Sequence, residues 1–159
     1  MLGVDPGLVA TGYGLLQPEP GGIAVLDVGV IETTRDVPLE TRVAAVYDGL
    51  TTLLDKHAPA LVVLEDLYAE YRFPRTAILM AHARGVICLA ARQRAVALLT
   101  LAPAEVKRAI AASGAASKEQ IQHCVQRLLR LEALPRPSHV ADALALALTG
   151  LSRAGTKIG

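Results

Sequence analysis

Two stretches, Leu2-Gly-Val-Asp-Pro-Gly7 and, further along, Leu61-Val-Val-Leu-Glu65, decide how this chain folds. Residues 2–5 read as a short strand that Pro6-Gly7 halts, because proline cannot donate to a ladder and glycine accepts turn dihedrals. Residues 61–64 are too few for a helix and too apolar for a surface strand, so they predict an interior strand ending at Glu65. If the two strands lie side by side and parallel, Asp5 and Glu65 emerge together at the carboxyl-terminal edge, where open α/β sheets place their ligands.

Outward from these strands, residues 11–17 and 23–33 read as an antiparallel pair joined by the turn Pro18-Glu-Pro-Gly-Gly22. Apolar positions Leu39, Val43, Val46, Tyr47, Leu50, Leu53 and Leu54 recur at helical spacing after Pro38, and Ala58-Pro59 ends that helix. A helix over residues 74–93 takes its proline in the first turn. Residues 96–101 form another strand, and Pro103 opens a helix to about residue 112 that Ser113-Gly114 breaks. Ser117, with Gln120 three positions on, forms a capping-box spacing before Ile121, Cys124, Val125, Leu128 and Leu129. A last helix runs over residues 138–151, with Ser138 as its cap. The order predicts a single α/β domain over residues 1–151, a five-stranded mixed sheet flanked by helices, and a flexible tail over residues 152–159.

The chain has 159 residues, 52% of them apolar, enough to bury a core without disulfides and to exclude disorder. Cys88 and Cys124 sit in apolar helical contexts without C-x-x-C spacing, which predicts buried, reduced thiols and excludes a thiolate zinc site. The N-terminus lacks a basic region and a long apolar core, and Arg92 and Arg94 interrupt the most apolar later stretch, so a cytoplasmic chain with no membrane association is expected. The net charge of +1 hides an asymmetry: up to Asp66 there are ten acids and three bases, and beyond it thirteen bases and five acids. Such a split suggests an acidic site beside a surface that faces a polyanion. Two oppositely charged faces that attract each other would produce it too.

A carboxylate within an apolar run is costly unless paired, protonated or bound to metal. Asp5 and Glu65 are two such cases. Asp142 is a third, interrupting the apolar helix Val140-Ala-Asp-Ala-Leu-Ala-Leu-Ala-Leu148, and His139 lies three residues earlier on the same helical face. Each has an ordinary explanation alone: Asp5 as a turn former, Glu65 as the first solvated residue after a strand, Asp142 as a complement to the helix dipole, His139 as a satisfied polar residue. Brought to one spot, three carboxylates and an imidazole make a site for a hard divalent cation, Mg²⁺ or Mn²⁺.

These segments, with Thr11-Gly-Tyr-Gly14, Leu64-Glu-Asp-Leu-Tyr68, Ala83-Arg-Gly85, Val106-Lys107, Ala116-Ser-Lys-Glu-Gln-Ile-Gln-His123 and His139-Val-Ala-Asp-Ala-Leu-Ala145, run in register over nearly the whole chain and resemble the motifs of the RuvC family of crossover (Holliday) junction endodeoxyribonucleases. The resemblance implies an RNase H-like fold and a homodimer. It also implies metal-dependent, symmetric nicking of four-way DNA junctions in recombination and repair, alongside the branch-migration complex of RuvA and RuvB. Asp5, Glu65 and Asp142 match the family's catalytic acids. His139 stands where many relatives carry another aspartate, which changes the charge of the metal shell. Two metals about 3.5–4 Å apart can activate water, stabilise the transition state and assist the leaving oxygen. On this reading Asp5 bridges them, Glu65 and Asp142 hold or share them, and His139 completes the shell or accepts the water's proton.

A DNA substrate needs cations for its phosphates. Lys107 and Lys118 match family lysines near the scissile region, and Arg72, Arg75 and Arg84 flank a loop in which three of the chain's five aromatics, Tyr68, Tyr71 and Phe73, lie within six residues. Base stacking on Tyr68 is the functional reading of that cluster, and aromatic packing over the sheet edge the structural one. Arg92, Arg94, Arg127 and Arg130 read as solvated helix faces, and Gly85 as a site of close packing. Three competing functions stay open on the residues alone. They are an RNase H-like nuclease for RNA or single strands, an actin-like nucleotide-binding half domain, and a non-catalytic junction binder.

Overall fold

The computed structural model describes residues 1–67 and 74–158. In chain order they form β1 (Leu2–Asp5), β2 (Ala10–Glu19), β3 (Gly22–Glu32), α1 (Leu39–His57), β4 (Leu61–Glu65), α2 (Pro74–Gln93), β5 (Ala97–Leu101), α3 (Pro103–Ala111), α4 (Lys118–Leu128) and α5 (Ser138–Arg153). The sheet order is β3-β2-β1-β4-β5. β1 and β4 are parallel with Gly3 opposite Val63 and Val4 opposite Leu64, which carries Asp5 alongside Glu65. The mixed, five-stranded α/β sheet expected from the sequence is therefore present, and so is the parallel pair on which the site depends.

Side chains alternate across a strand, and here the alternation separates two cores. Leu2, Val4, Val62 and Leu64 pack with Val46 and Leu50 of α1 and Ala83 and Ile87 of α2. Val63 and Leu16 pack on the other side with Val106, Ile121, Val125 and the apolar face of α5, including Leu144 and Leu148. By the same period of two, Asp5 follows Gly3 and Glu65 follows Val63 onto the α5 side.

That side is shaped by glycines. A Cβ on Gly3 would collide with the carbonyl oxygen of Ala143, and one on Gly12 with the carbonyl of His139. Only glycine lets α5 lie this close to the strands, and the close approach is what lowers the first turn of α5 onto the end of β1.

Several local expectations are corrected. The β2–β3 hairpin is longer than expected: Glu19 pairs with Gly22, leaving Pro20-Gly21 as the turn. Gly21 has φ 92°, so a proline followed by a positive-φ glycine closes it in the manner of a type II turn. Ser138 is not a cap, since Pro137 holds that position without a side-chain hydrogen bond, whereas the Ser117–Gln120 capping box forms in both directions. α5 continues to Arg153, and Ile158 packs back against the core beneath it. Cys88 and Cys124 are free but only half-buried. Arg94 is not simply solvated, for it makes a bidentate pair with Asp55 at 2.6 and 2.9 Å. Arg130 lies past the end of α4, in a turn with φ 52°. Among the described residues, no helix is long and apolar enough to cross a membrane.

Candidate active site

The carboxyl-terminal edge of β1 and β4 opens into a cavity of about 620 Å³ whose wall includes Asp5, Glu65, His139, Asp142, Lys107, Lys118 and Arg35. Strand geometry supplies Asp5 and Glu65. Helical geometry supplies His139 and Asp142, three residues apart near the start of α5. Nδ1 of His139 lies 2.7 Å from Oδ2 of Asp5, and Nζ of Lys118, the first residue of α4, lies 3.5 Å from Oδ2 of Asp142.

Three carboxylates are buried close together here, and their ionisation records it. Burial, then the charges of Asp5 and Asp142, pushes Glu65 up to about 7. Burial and then Asp5 raise Asp142 as well, against the opposing pull of Lys118. His139 is raised above the usual imidazole range, chiefly by its hydrogen bond to Asp5, with its own burial working against the shift. Carboxylates held together at this cost are what a divalent cation relieves, and three oxygens plus one imidazole are a fitting donor set for a hard ion. Among the described residues no group of three or more His, Cys, Asp or Glu side chains stands arranged to hold a metal ion. A hard ion that keeps several waters needs only one or two carboxylates alongside substrate phosphates.

The cationic residues divide. Lys107 and Lys118 reach the cavity and oppose the rise of Glu65. Arg75 is exposed at the start of α2 and does not line the cavity. Arg84 is turned into the fold, with Nη2 3.4 Å from Asp66 and 3.3 Å from the Thr100 hydroxyl, so it braces the segment after Glu65 instead of meeting the cavity. Tyr68 and Arg72, with Tyr71 and Phe73, lie outside the described residues. Arg35 is the cavity residue that reading the sequence missed. It sits among the acids of the first part, and the one available signal was its place just beyond the strand read over residues 23–33.

A three-layer α/β sheet with acids at the ends of adjacent parallel strands and on a helix laid across them defines the RNase H-like class of nuclease folds. Residues 1–150 match the family described as "Crossover junction endodeoxyribonuclease RuvC". The chain is 43% identical over 150 residues to the protein of that name from Rhodopirellula baltica, covering 94% of this chain and 84% of the relative. It is 38% identical over 149 residues to that of Dictyoglomus thermophilum, covering 94% of each. Among solved structures, Thermus thermophilus RuvC in complex with a Holliday junction substrate superposes with a TM-score of 0.89 at 33% identity, covering 98% of this chain and 95% of that one. The yeast mitochondrial Holliday junction resolvase, at 15% identity and a TM-score of 0.61, shares the fold. The chain belongs to the RuvC family.

Proposed function

We propose that this chain is a metal-dependent endonuclease that resolves four-way DNA junctions by symmetric paired nicks, leaving 5′-phosphate and 3′-hydroxyl ends, with residues 1–151 acting as one nuclease domain. The observation that carries the proposal is the convergence of Asp5, Glu65, Asp142 and His139 in one cavity rimmed by Lys107 and Lys118, in a chain of this family.

Asp5, Glu65, Asp142 and His139 would hold divalent cations, two per site and either Mg²⁺ or Mn²⁺, and such ions supply water activation and charge stabilisation for phosphodiester hydrolysis. The chain's own part is preorganisation. Asp5 and His139, 2.7 Å apart, fix each other's orientation, because an imidazole donating from Nδ1 keeps Nε2 as its other functional nitrogen. Lys118 pairs with Asp142 at 3.5 Å. Lys107, with Lys118, draws the phosphate backbone toward a site that its acids would otherwise repel. Tyr68, Arg72 and Arg75 complete the DNA surface on the approach from the β4–α2 segment.

The target has two-fold symmetry, and a C2 homodimer presents two sites related in the same way. The outer face of α2 supports it: Ile78 and Leu89 are 59% and 49% exposed, and a Cβ on Gly85 between them would meet nothing. Gly85 thus packs against nothing among the described residues, which leaves room for close approach of a second copy. Cooperation with RuvA and RuvB and a cytoplasmic location accompany this reading. Incubation with a labelled mobile four-way junction and with linear duplex, in Mg²⁺ and in Mn²⁺, tests the proposal. Paired nicks confined to the junction support it, and binding without cleavage in both metals defeats it. Sedimentation tests the dimer, and a monomer that still makes paired nicks defeats the symmetry argument.

A further inference from the structure

Arg35 lines the acidic cavity from the segment that follows β3. β2 is antiparallel to both β1 and β3, so β3 runs parallel to β1 and ends at the same edge as Asp5 and Glu65. The sheet order puts β3 and β5 at opposite extremes. The segment after β3 therefore borders the cavity from one side, and α3, which follows β5 and carries Lys107, borders it from the other.

Hydrogen bonds hold that segment in place. The Thr33 N–H donates to the carbonyl of Val9 at 2.9 Å, the Thr33 hydroxyl donates to the carbonyl of Leu8, and Nε of the buried Arg42 donates to the Thr33 hydroxyl at 3.1 Å. Leu8 and Val9 belong to the turn that follows Asp5, so the segment carrying Arg35 is pinned to the backbone that carries the first acid. Two residues beyond the clamp, Arg35 is exposed and lines the cavity beside Asp5 and Glu65. Lys118, Arg84 and Arg94 are each paired with an aspartate, whereas Arg35 forms no ion pair with any described residue.

A nucleic-acid strand crossing three carboxylates needs positive charge on both sides of the acids, because cations on one side alone would draw the backbone away from them. We propose that Arg35 binds a backbone phosphate of the substrate strand on the flank opposite Lys107 and Lys118. The strand then spans the cavity between the two cationic flanks, with the scissile phosphate over Asp5 and Glu65. The inference deepens the nuclease reading and rests on it.

The test uses wild-type protein, Arg35→Ala and Arg35→Lys with a fluorescently labelled four-way junction. Binding is measured without divalent metal across a salt series, and single-turnover cleavage in Mg²⁺ at saturating protein. Arg35→Ala is expected to weaken binding about fivefold at moderate salt and to flatten the slope of log K against log salt by about 0.9 per engaged protomer. Its melting temperature should stay near wild type, and Arg35→Lys should recover most of the binding. Wild-type affinity and slope in Arg35→Ala, with the wild type active, overturn the inference alone. A saturated rate lost equally in both variants also overturns it, by placing Arg35 at the reacting atoms. A wild-type protein that neither binds nor cuts the junction overturns the nuclease reading and the inference together.

Discussion

The same contact occurs twice in this molecule, an imidazole nitrogen 2.7 Å from an aspartate oxygen: His139 with Asp5 at the cavity, and His57 with Asp27 between the end of α1 and β3. The pairs differ in their company. Asp27 also accepts from Lys56 at 3.1 Å, so two bases serve one acid. Although burial alone would raise it, the hydrogen bonds from His57 and Lys56 hold Asp27 below the usual carboxylate range. Asp5 has Glu65 and Asp142 for neighbours, and both are pushed upward. A balanced cluster ties an element down. One of crowded, buried carboxylates costs stability and gains the capacity to take up cations.

Breaking the two aspartates in parallel should separate the clusters most widely. Asp5→Asn is expected to lower junction cleavage in Mg²⁺ by at least about a thousandfold, or about 4 kcal/mol of barrier, while Asp27→Asn stays within about twofold. Equal losses in the two variants would remove the distinction. The histidines sharpen it: His139→Ala should cost on the order of a hundredfold in the saturated cleavage rate, and His57→Ala almost nothing.

Stability should move in the opposite sense at the two sites. Glu65 has a folded pKa of about 7, above the roughly 4.3 of a free glutamate. Between those values the native state binds the additional proton, so metal-free stability falls as pH rises, and the full penalty is present above about 7. Glu65→Gln should therefore abolish cleavage yet stabilise the metal-free protein by about 1–3 kcal/mol at pH 8, with little gain near pH 4. Urea denaturation at both pH values measures this, and a destabilised variant at pH 8 would contradict the crowding argument. Added Mg²⁺ should stabilise wild type more than the variant.

The smallest effect belongs to the balanced cluster. Asp27 is depressed on folding, so its contribution is present above its unfolded pKa and disappears as pH falls through the lower folded one. Asp27→Asn should cost about 0.5–1 kcal/mol at neutral pH, with the difference from wild type closing below about pH 4. Parallel melting curves at pH 7 and pH 3.5 would show it. A pH-independent loss would mean that packing, not charge, is what Asp27 provides.

What was legible in the residues is what short-range pattern encodes. Short apolar segments bounded by turn signals located the strands, Pro6-Gly7 and Ala58-Pro59 located the stops, and the Ser117–Gln120 spacing located a capping box that the fold makes. Acids in apolar runs marked Asp5, Glu65 and Asp142, and a motif series in register across the chain identified the family. Bases were harder. Arg84 and Arg94 look as free as Arg35 in the sequence, yet they are bound to Asp66 and Asp55, because ion pairing is set by neighbours distant along the chain.

The sequence by itself thus determined the order of elements, which four residues were the candidate site and the polarity of the charge. Only the tertiary structure decided that Asp5 and His139, 134 residues apart, would touch, and that glycines at positions 3 and 12 would let α5 descend far enough for them to do so. It also decided that Arg35 rather than Arg84 would face the cavity. Local propensity acts over a few residues, whereas burial, repulsion and pairing depend on which distant surfaces the packed sheet brings together.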